Sequence, residues 1–470
     1  RGFDVLLLEE GPAVDRLEHR DLAIDALARL YRNGGVSITI GSPGFPLLQG
    51  RCVGGTTVVN GGTSLRPRAD VFQHWVEVLG LNALSEEELR PHFAAVEEVL
   101  GVTRADPKLM SRPNRLFADF FAREGLHGEG LPRNAPECQG CGMCCYGCTS
   151  GAKQSMDQSY IPRAIRAGAR VVASVRAERI LLGERGREGG FAAAVLAERM
   201  EGRTGERLWF HAKKGVILAA GTVHTPYLLM RSGLTWSPHL GRNLTVHPAS
   251  KVYAEFDEDV LGWQGIPQAF TSEALVARGI LFEGVFVPPD VAATLNPHVG
   301  PALHSFMRRY RRMGSFGFMI EDAGTGRVVD VPFLSRWAGP LVLYSLKKDD
   351  VARIREASIF LARILLKHGA RSVVPMMRWK GGEIRDAGDL AAFEKTRFGS
   401  EDVELAAFHP LGTARVGRNR EEGVIAPDGS VHGCAGVWVA DGSALPTALG
   451  VNPQMTIMAF ARHVALGIEN

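Results

Sequence analysis

A run of apolar residues that ends in two acids and a glycine opens the chain and constrains its fold more than any other feature. Val5 to Leu8 are apolar, and Glu9, Glu10 and Gly11 follow them. Such a run is typical of a parallel strand buried on both faces. In a dinucleotide-binding unit, an acid at the end of the second strand binds the ribose hydroxyls. The pattern predicts an α/β fold with Glu9 as the ribose ligand, although acids are also frequent at the ends of ordinary strands.

The first strand and the glycine-rich turn of such a unit are not visible in the sequence. No G-x-G-x-x-G run occurs in the 470 residues. Either the chain begins after these elements or the interpretation of Glu9 is wrong. If the first holds, we expect the chain as given to bind a dinucleotide poorly, because the turn that holds the pyrophosphate is absent.

Charge and composition exclude several classes of function. The 54 basic and 51 acidic residues almost cancel, so we expect no binding to nucleic acid. No apolar run reaches the roughly 20 residues of a transmembrane helix, and no export signal opens the chain. Five of the seven cysteines lie between Cys138 and Cys148, which differs from the dispersed framework of a small secreted domain. These features favour a reducing, cytoplasmic location.

Helix and strand signals alternate along the chain and indicate more than one domain. Helices are predicted at Ser85 to Val99, at Arg112 to Arg123 and from Pro453 to about Gly467, and buried strands at Gly215 to Gly221 and around Val437. Between about 245 and 395 alternating patterns predict a partly antiparallel sheet. We divide the chain into a nucleotide-binding domain in three parts, 1–75, 161–244 and 396–470, a helical and cysteine-rich insertion, 76–160, and a substrate domain, 245–395.

A glycine-rich stretch from Gly50 to Thr63 is the first candidate for a binding loop. Its small residues would let backbone N–H groups and hydroxyls approach a phosphate or a flat ring. A glycine-rich loop without a binding role is the alternative, because such loops are common. Candidate ligands in this stretch are Gly54, Gly55, Thr56, Asn60, Gly61 and Thr63.

Three stretches, in this order, resemble the sequence patterns of the glucose-methanol-choline (GMC) oxidoreductases. The Gly50 to Thr63 loop, continued to Pro67, resembles the first pattern. Gly221 to Leu234 resembles the second, and Leu240 to Pro248 the element that usually follows it. The third comprises the run that starts at His409 and the residues from Gly450 to Thr456.

The resemblance implies a catalytic pair and a cofactor. It places the active-site His at His409 and the second catalytic residue at Asn452, whereas an isolated histidine would more often be a packed or surface residue. It implies bound FAD in a Rossmann-like (GMC-type) domain that here lacks its first strand and glycine-rich turn, with an inserted α+β substrate domain. Pattern and resemblance together place these residues at the FAD: Glu9, Gly11, Gly54, Gly55, Thr56, Asn60, Gly61, Thr63, Val175, Ala220, Gly221, Asp441, Gly442, Pro453 and Gln454.

The start of the last helix also has a physical signature. Asn452 is a good N-cap residue, and Pro453 suits the first helical position, where its missing N–H costs nothing. The resemblance places this helix N-terminus at the pyrimidine side of the flavin. The helix dipole would then favour the reduced, anionic ring. A capped helix with only a structural role fits the same residues.

The cysteine spacing predicts an iron–sulfur cluster, with several alternatives. Cys138, Cys141, Cys144 and Cys148 have the spacing of a bacterial ferredoxin run, although Thr149 stands where a proline is expected. A zinc site, a disulfide pair and buried thiols are the other interpretations.

The substrate implied by the resemblance is an alcohol, with oxygen or a redox partner as the electron acceptor. Apolar residues in the substrate domain suggest a bulky hydrophobic alcohol, but they would equally suit a core: Phe282, Phe286, Val287, Phe316, Phe318 and Met319. Two other functions stay open at this point. One is a dehydrogenase that passes electrons through the iron–sulfur cluster to a protein, and the other is a non-catalytic flavin-fold binding protein.

Overall fold

The structure is a computed structural model that describes residues 2–15, 22–183, 192–201, 205–295, 299–324 and 326–468. Within these ranges, no helix combines the length and the apolar character that crossing a membrane requires. The strands are β1 Leu6–Leu8, β2 Thr103–Arg104, β3 Glu129–Gly130, β4 Pro132–Arg133, β5 Arg170–Val172, β6 Val175–Leu182, β7 Ala192–Arg199, β8 Arg207–His211, β9 Val216–Leu218, β10 Ala249–Glu255, β11 Phe270–Leu275, β12 Ile280–Gly284, β13 Met313–Ile320, β14 Arg327–Val329, β15 Leu341–Leu343, β16 Ser372–Pro375 and β17 Val437–Val439.

The helices lie between these strands and after them. They are α1 Ala23–Leu30, α2 Thr56–Val59, α3 Ala69–Glu77, α4 Glu86–Leu100, α5 Arg112–Arg123, α6 Tyr160–Arg166, α7 Gly221–Arg231, α8 Pro289–Leu295, α9 Pro301–Arg309, α10 Pro332–Ala338, α11 Lys348–Lys367, α12 Ala387–Lys395 and α13 Gln454–Gly467. The predicted helices α4 and α5 are therefore confirmed to within one residue. Ser85 caps α4, because its side chain accepts a hydrogen bond from the backbone N–H of Glu88.

Two pairs of parallel strands form the α/β part of the fold. β1 pairs with β5, with Leu7 opposite Val171, and β9 pairs with β17, with Ile217 opposite Trp438. These are the apolar runs that the sequence predicts as buried parallel strands. The outward side chains are less covered than that prediction implies, since Leu7 and Ile217 are 37% and 50% exposed.

An antiparallel sheet of six strands forms the second part of the fold, as the sequence predicts. Its order is β16-β10-β13-β12-β11-β3, so the short strand β3 joins it from the cysteine-rich insertion. β10 and β13 pair from Ala249 opposite Met319 to Glu255 opposite Met313. β12 pairs with β13 along its whole length, from Ile280 opposite Ile320.

The main hydrophobic core lies against this sheet. All eight residues of β13 are buried, which means that both faces of the strand are covered. Phe117 of α5 packs against Phe270 and Phe316, with ring centroids 5.1 and 5.2 Å apart. Phe282 and Phe318 belong to the same core. Core packing, the alternative to substrate contact, is thus what the structure shows for these aromatic side chains.

A fully buried amide fastens α5 to the sheet. The Nδ2 group of Asn114 donates to Ser111 Oγ and to the carbonyls of Ile266 and Pro267. Its Oδ1 accepts from the backbone N–H groups of Ala269 and Phe270 at 3.0 Å. These bonds satisfy the backbone of a segment that enters β11, where a buried polar group without a partner would be costly.

We expect Asn114→Leu to lower the free energy of unfolding by about 2–6 kcal/mol, because two buried N–H groups lose their acceptor at about 1–3 kcal/mol each. The exposed Asn82 provides a matched control, and Asn82→Leu should change stability by less than about 0.5 kcal/mol. Urea unfolding of the three proteins measures the difference. Equal midpoints for Asn114→Leu and Asn82→Leu would contradict the assigned role.

Candidate active site

His409 and Asn452 are brought together from two loops. His409 follows a segment whose backbone bridges to two others, at Ala406 to Ala249 and at Ala407 to Leu47. Asn452 lies just before α13. The Nδ2 atom of Asn452 is 3.4 Å from Nε2 of His409, so the amide can donate to the unprotonated ring nitrogen.

The predicted cap of α13 needs a correction by one residue. The helix begins at Gln454, and Pro453 occupies the N-cap position without a side-chain cap bond. Asn452 is not the cap residue, because its amide contacts His409 and donates to Glu283 Oε2 at 3.3 Å. The tertiary partners of Asn452 therefore replace the local capping bond that its residue type favours.

Glu283 is a third polar member of this site, and the sequence patterns did not single it out. It lies on β12, is 7% exposed, and accepts from Asn452 and, at 2.9 Å, from Nε2 of Gln268. The one signal in the sequence is an acid inside the apolar strand that runs from Ile280 to Gly284. An acid at an inward position of a strand has to be satisfied by partners or by a function.

Burial shifts the pKa values of this group in opposite directions. It lowers the pKa of His409 to about 3, and nearby His247 acts in the same direction. It raises the pKa of Glu283 to about 7, against the hydrogen bonds from Asn452 and Gln268. At neutral pH His409 is therefore a neutral imidazole that can accept a proton, while Glu283 lies near the midpoint of its titration.

His247 contacts the backbone of the two loops that carry His409 and Asn452. Its Nε2 accepts from the backbone N–H groups of Leu449 and Gly450 at 2.8 and 3.1 Å. Its Nδ1 lies 3.5 Å from the carbonyl oxygen of His409. The ring is fully buried, and burial lowers its pKa to about 4, so it stays neutral with its proton on Nδ1. Asp322 accepts from the backbone N–H of His247 at 3.0 Å and fixes that turn.

The glycine-rich stretch forms a tight loop that leads into the short helix α2. Gly54 and Gly55 have φ angles of +99° and +57°, which favour glycine. A Cβ atom at Gly54 would lie 2.7 Å from Cγ2 of Val58. The hydroxyl of Thr56 accepts from the backbone N–H of Gly50 at 3.1 Å and closes the loop.

The end of this loop faces α13. Asn60 donates through Nδ2 to Oε1 of Gln454, and its own Oδ1 accepts from Gly62 at 3.1 Å. A Cβ atom at Gly61 would lie 1.9 Å from Oε1 of Gln268, the residue that donates to Glu283. The predicted cofactor residues Asn60, Gly61 and Gln454 therefore border the group formed by His409, Asn452 and Glu283.

The two acids after β1 have different surroundings. Oε1 of Glu9 accepts from the backbone N–H of Gly11 at 2.7 Å, and burial raises the pKa of Glu9 to about 7. Burial acts to raise the pKa of Glu10 as well, yet the ion pair with Arg32 at 2.7 Å holds it below its usual value. Among the ion pairs of the described residues none involves Glu9, so Glu9 is the better candidate for a ribose ligand.

Gly11 and Val175 lie beside this acid. A Cβ atom at Gly11 would lie 2.3 Å from the backbone of Arg51, which brings the end of β1 against the glycine-rich loop. The backbone N–H of Val175 donates to the carbonyl of Glu9 at 2.8 Å. These contacts connect β1, β6 and the loop in one part of the molecule.

Asp441 joins β17 to the start of α7. Its Oδ2 accepts from the backbone N–H of Gly221 at 2.8 Å, and its Oδ1 accepts from the N–H of Ser443 at 2.8 Å. Ala220 immediately precedes α7, and a Cβ atom at Gly442 would lie 3.0 Å from Oγ1 of Thr222. Asp441 therefore has an internal structural role, and a cofactor contact at Ala220, Gly221 or Gly442 stays a prediction.

Several buried polar atoms around the site have no hydrogen-bond partner within the part of the chain that the structure describes. They are Thr63 Oγ1, Glu283 Oε1, His409 Nδ1, Asn452 Oδ1, Gln454 Nε2 and Thr456 Oγ1. Buried polar atoms are normally satisfied, so a cluster of exceptions indicates a place for a bound molecule.

The predicted iron–sulfur cluster is not supported. In the described ranges no three His, Cys, Asp or Glu side chains are placed to hold a metal ion, and the seven cysteines are free. Cys138 and Cys144 turn their sulfur atoms to Arg133, Cys148 accepts from the backbone N–H of Lys153, and Cys141 is exposed. Zinc and a disulfide lose support for the same reason. The interpretation as buried cysteines fits Cys144 and Cys148, whereas Cys138 and Cys145 are partly buried and Cys141 is exposed.

Two family models, both described as GMC oxidoreductase, match residues 27–249 and 339–461. An uncharacterised GMC-type oxidoreductase of Mycobacterium tuberculosis is 36% identical over 99% of this chain and 72% of its own length. A long-chain-alcohol oxidase of Arabidopsis thaliana is 29% identical over 98% of this chain and 63% of its own length. The structure of a formate oxidase of Aspergillus oryzae, from work on its FAD modification, superposes with a TM-score of 0.74 at 17% identity, over 99% and 94% of the two chains.

We expect Glu283→Gln to remove a pH dependence of stability. Glu283 binds its proton more tightly in the folded state, so its contribution is present below about pH 4.5 and is lost as the pH rises through about 7. The difference between the unfolded and the folded pKa of Glu283 corresponds to a loss of about 3 kcal/mol in the free energy of unfolding, at about 1.4 kcal/mol per pKa unit. Glutamine stays neutral, so the variant should be the more stable protein at pH 8 and close to wild type at pH 4.5.

Urea unfolding at pH 4.5 and pH 8 measures this difference. Glu137→Gln, at an exposed position, serves as the control and should follow wild type at both values. If Glu283→Gln and wild type lose stability in parallel with rising pH, the raised pKa of Glu283 is refuted.

Proposed function

Because the chain belongs to the GMC oxidoreductase family, we propose that it is an FAD-dependent enzyme that takes a hydride from the CH–OH group of an alcohol. The observation that carries the proposal is the position of a neutral His409 beside Asn452 and the buried Glu283. The Arabidopsis relative is named a long-chain-alcohol oxidase, so long-chain primary alcohols are the first substrates to test.

The residues present fit FAD. Thr63 Oγ1 and Gln454 Nε2 are buried polar atoms without a partner among the described residues, and both belong to the predicted cofactor set. Gly54 and Gly61 lie in the same loop, where a Cβ atom would collide with the side chains of Val58 and Gln268, so both positions need glycine. Glu9 would hold the ribose hydroxyls. When bound, FAD supplies the hydride acceptor, N5 of its ring.

In the proposed reaction His409 removes the hydroxyl proton. The alcohol oxygen donates its proton to Nε2 of His409 and accepts a hydrogen bond from Nδ2 of Asn452, in place of the present 3.4 Å contact between these two atoms. Loss of this proton promotes departure of hydride from the carbinol carbon. The lowered pKa of His409 keeps the ring in the accepting form at neutral pH.

Glu283 and Gln268 orient the amide of Asn452. Because Glu283 Oε2 accepts from Nδ2 of Asn452, the amide group is held with its nitrogen toward His409. Gln268 donates to the same carboxylate oxygen at 2.9 Å and holds it in turn. A catalytic group whose rotamer is fixed in this way loses less entropy when the substrate binds.

The N-terminus of α13 adds an electrostatic contribution. The helix has 14 residues and starts at Gln454, which contacts Asn60 of the glycine-rich loop. Its first N–H groups carry partial positive charge, which favours negative charge next to them. Reduction of a flavin in this position would therefore be favoured.

Oxygen is the proposed electron acceptor. The name of the Arabidopsis relative describes an oxidase. The dehydrogenase that would pass electrons through an iron–sulfur cluster is not proposed, because the cluster is not supported. A dehydrogenase without the cluster is the alternative to the oxidase. A non-catalytic flavin-binding protein is the outcome that remains to be tested against the enzyme.

We expect His409→Ala to slow flavin reduction by an alcohol by several powers of ten, since general-base catalysis contributes about 10²–10⁴-fold and positioning adds to it. Asn452→Ala removes one hydrogen bond to the alcohol oxygen and should cost about 10²–10³-fold. Stopped-flow absorbance of the flavin under anaerobic conditions measures both rates. His74→Ala, at an exposed position, should leave the rate unchanged, and an unchanged rate in His409→Ala would exclude the histidine as base.

We expect the full-length protein, purified without oxygen, to show flavin absorbance that is bleached by a primary alcohol and restored by air. A panel from ethanol to long-chain alcohols reports the substrate class. Flavin absorbance that no alcohol bleaches would indicate a binding protein. Broad visible absorbance in addition to that of the flavin would indicate an iron–sulfur cluster. Protein without flavin would refute the proposed cofactor.

A further inference from the structure

Lys153 is a buried ammonium group behind the glycine-rich loop. It is 1% exposed, and its Nζ donates to the carbonyl oxygens of Val58, Asn60 and Cys144 at 2.8, 2.7 and 2.7 Å. An ammonium group has three protons for these three bonds, whereas a neutral amine has two. Burial lowers the pKa of Lys153, whereas the three carbonyl contacts have the geometry that a protonated ammonium group requires.

Arg133 is a second buried cation at the same place. It is 2% exposed, and its Nη2 donates to the carbonyl of Gly61 at 2.8 Å and lies 3.1 Å from the sulfur of Cys144. Its Nη1 lies 3.7 Å from the sulfur of Cys138. A guanidinium group stays charged in proteins. Two cations therefore hold the consecutive carbonyl groups of Asn60 and Gly61.

No carboxylate balances these charges among the contacts of the described residues. The partners of Lys153 are carbonyl oxygens, and those of Arg133 are one carbonyl oxygen and two sulfur atoms. Buried charges in proteins are normally paired, because leaving water is costly for a single ion. Lys153 in particular contacts carbonyl oxygens, so its positive charge has no carboxylate partner among the described residues.

The loop turns its other face to the candidate active site. The C=O and N–H groups of one planar peptide point in opposite directions, so the Asn60 carbonyl that faces Lys153 directs the N–H of Gly61 away from it. This N–H has no acceptor among the hydrogen bonds of the described residues. On that face lie Gln268, which approaches Gly61, and Gln454, which contacts Asn60. A bound anionic group on this face would accept from Gly61 and balance the two cations.

We infer that Lys153 and Arg133 are positioning residues that set the reduction potential of the flavin, by aiming the Gly61 N–H at it and by placing two positive charges behind the loop. The inference rests on the proposed FAD cofactor. It assigns a role to the cysteine-rich segment, in which the sulfur atoms of Cys138 and Cys144 contact the guanidinium of Arg133. The charges favour the negatively charged reduced ring over the neutral oxidised ring.

A redox titration of the FAD-loaded protein with reference dyes tests this without any alcohol. We expect Lys153→Met to lower the equilibrium constant for two-electron reduction at least tenfold, which is about 30 mV for a two-electron couple. Lys153→Arg keeps the positive charge, so its reduction potential should be close to that of the wild-type protein. Lys108→Met removes an exposed lysine and should leave the potential at its wild-type value.

A purely structural role of Lys153 predicts a different pattern. Lys153→Met and Lys153→Arg would then lose FAD to the same extent. The fraction of each variant that still binds FAD would have the reduction potential of the wild-type protein. If Lys153→Met does not fold, the same comparison is made at Arg133. Arg133→Gln removes the positive charge, whereas Arg133→Lys keeps it. An unshifted potential in every charge-removing variant that binds FAD overturns the inference and leaves the proposed function intact. A wild-type protein that takes up no FAD overturns both.

Discussion

The hydrogen bond between Asn452 and Glu283 is the interaction on which the site depends. Asn452 precedes α13 in the α/β part of the fold, and Glu283 lies on β12 of the antiparallel sheet. One buried bond thus joins the two parts at the point where His409 arrives on a third segment. His247 sets the relative position of the two loops, because its ring contacts the backbone on both sides. The relative position of His409 and Asn452 therefore depends on contacts between both parts of the fold.

Much of the fold follows from local patterns. The acids after Ser85 suit the first turn of α4, and the apolar runs at Leu6–Leu8 and Val216–Leu218 form the predicted parallel strands, although one side chain of each is partly exposed. The family patterns also indicated His409 and Asn452. The structure brings these two residues together, which the distance of 43 positions between them in the chain could not show.

Other features depend on partners that a local pattern does not contain. Glu283 was missed because alternation in a strand shows which residues share a face, and does not show what covers that face. The helix start moved from Pro453 to Gln454 because tertiary contacts of Asn452 outweigh its capping tendency. The spacing of the cysteines does not show what their sulfur atoms contact, and in the structure two of them contact the buried guanidinium of Arg133.

The complete burial of β13 makes substitutions in this strand more disruptive than substitutions in the surrounding loops. Its eight residues are enclosed by helices and neighbouring strands, so a larger side chain there would disturb the packing that positions β12 and Glu283. Loops tolerate substitution and insertion far better than such a strand. Substitutions that alter the substrate are therefore easier to accommodate in the loops that border His409 than in the buried sheet.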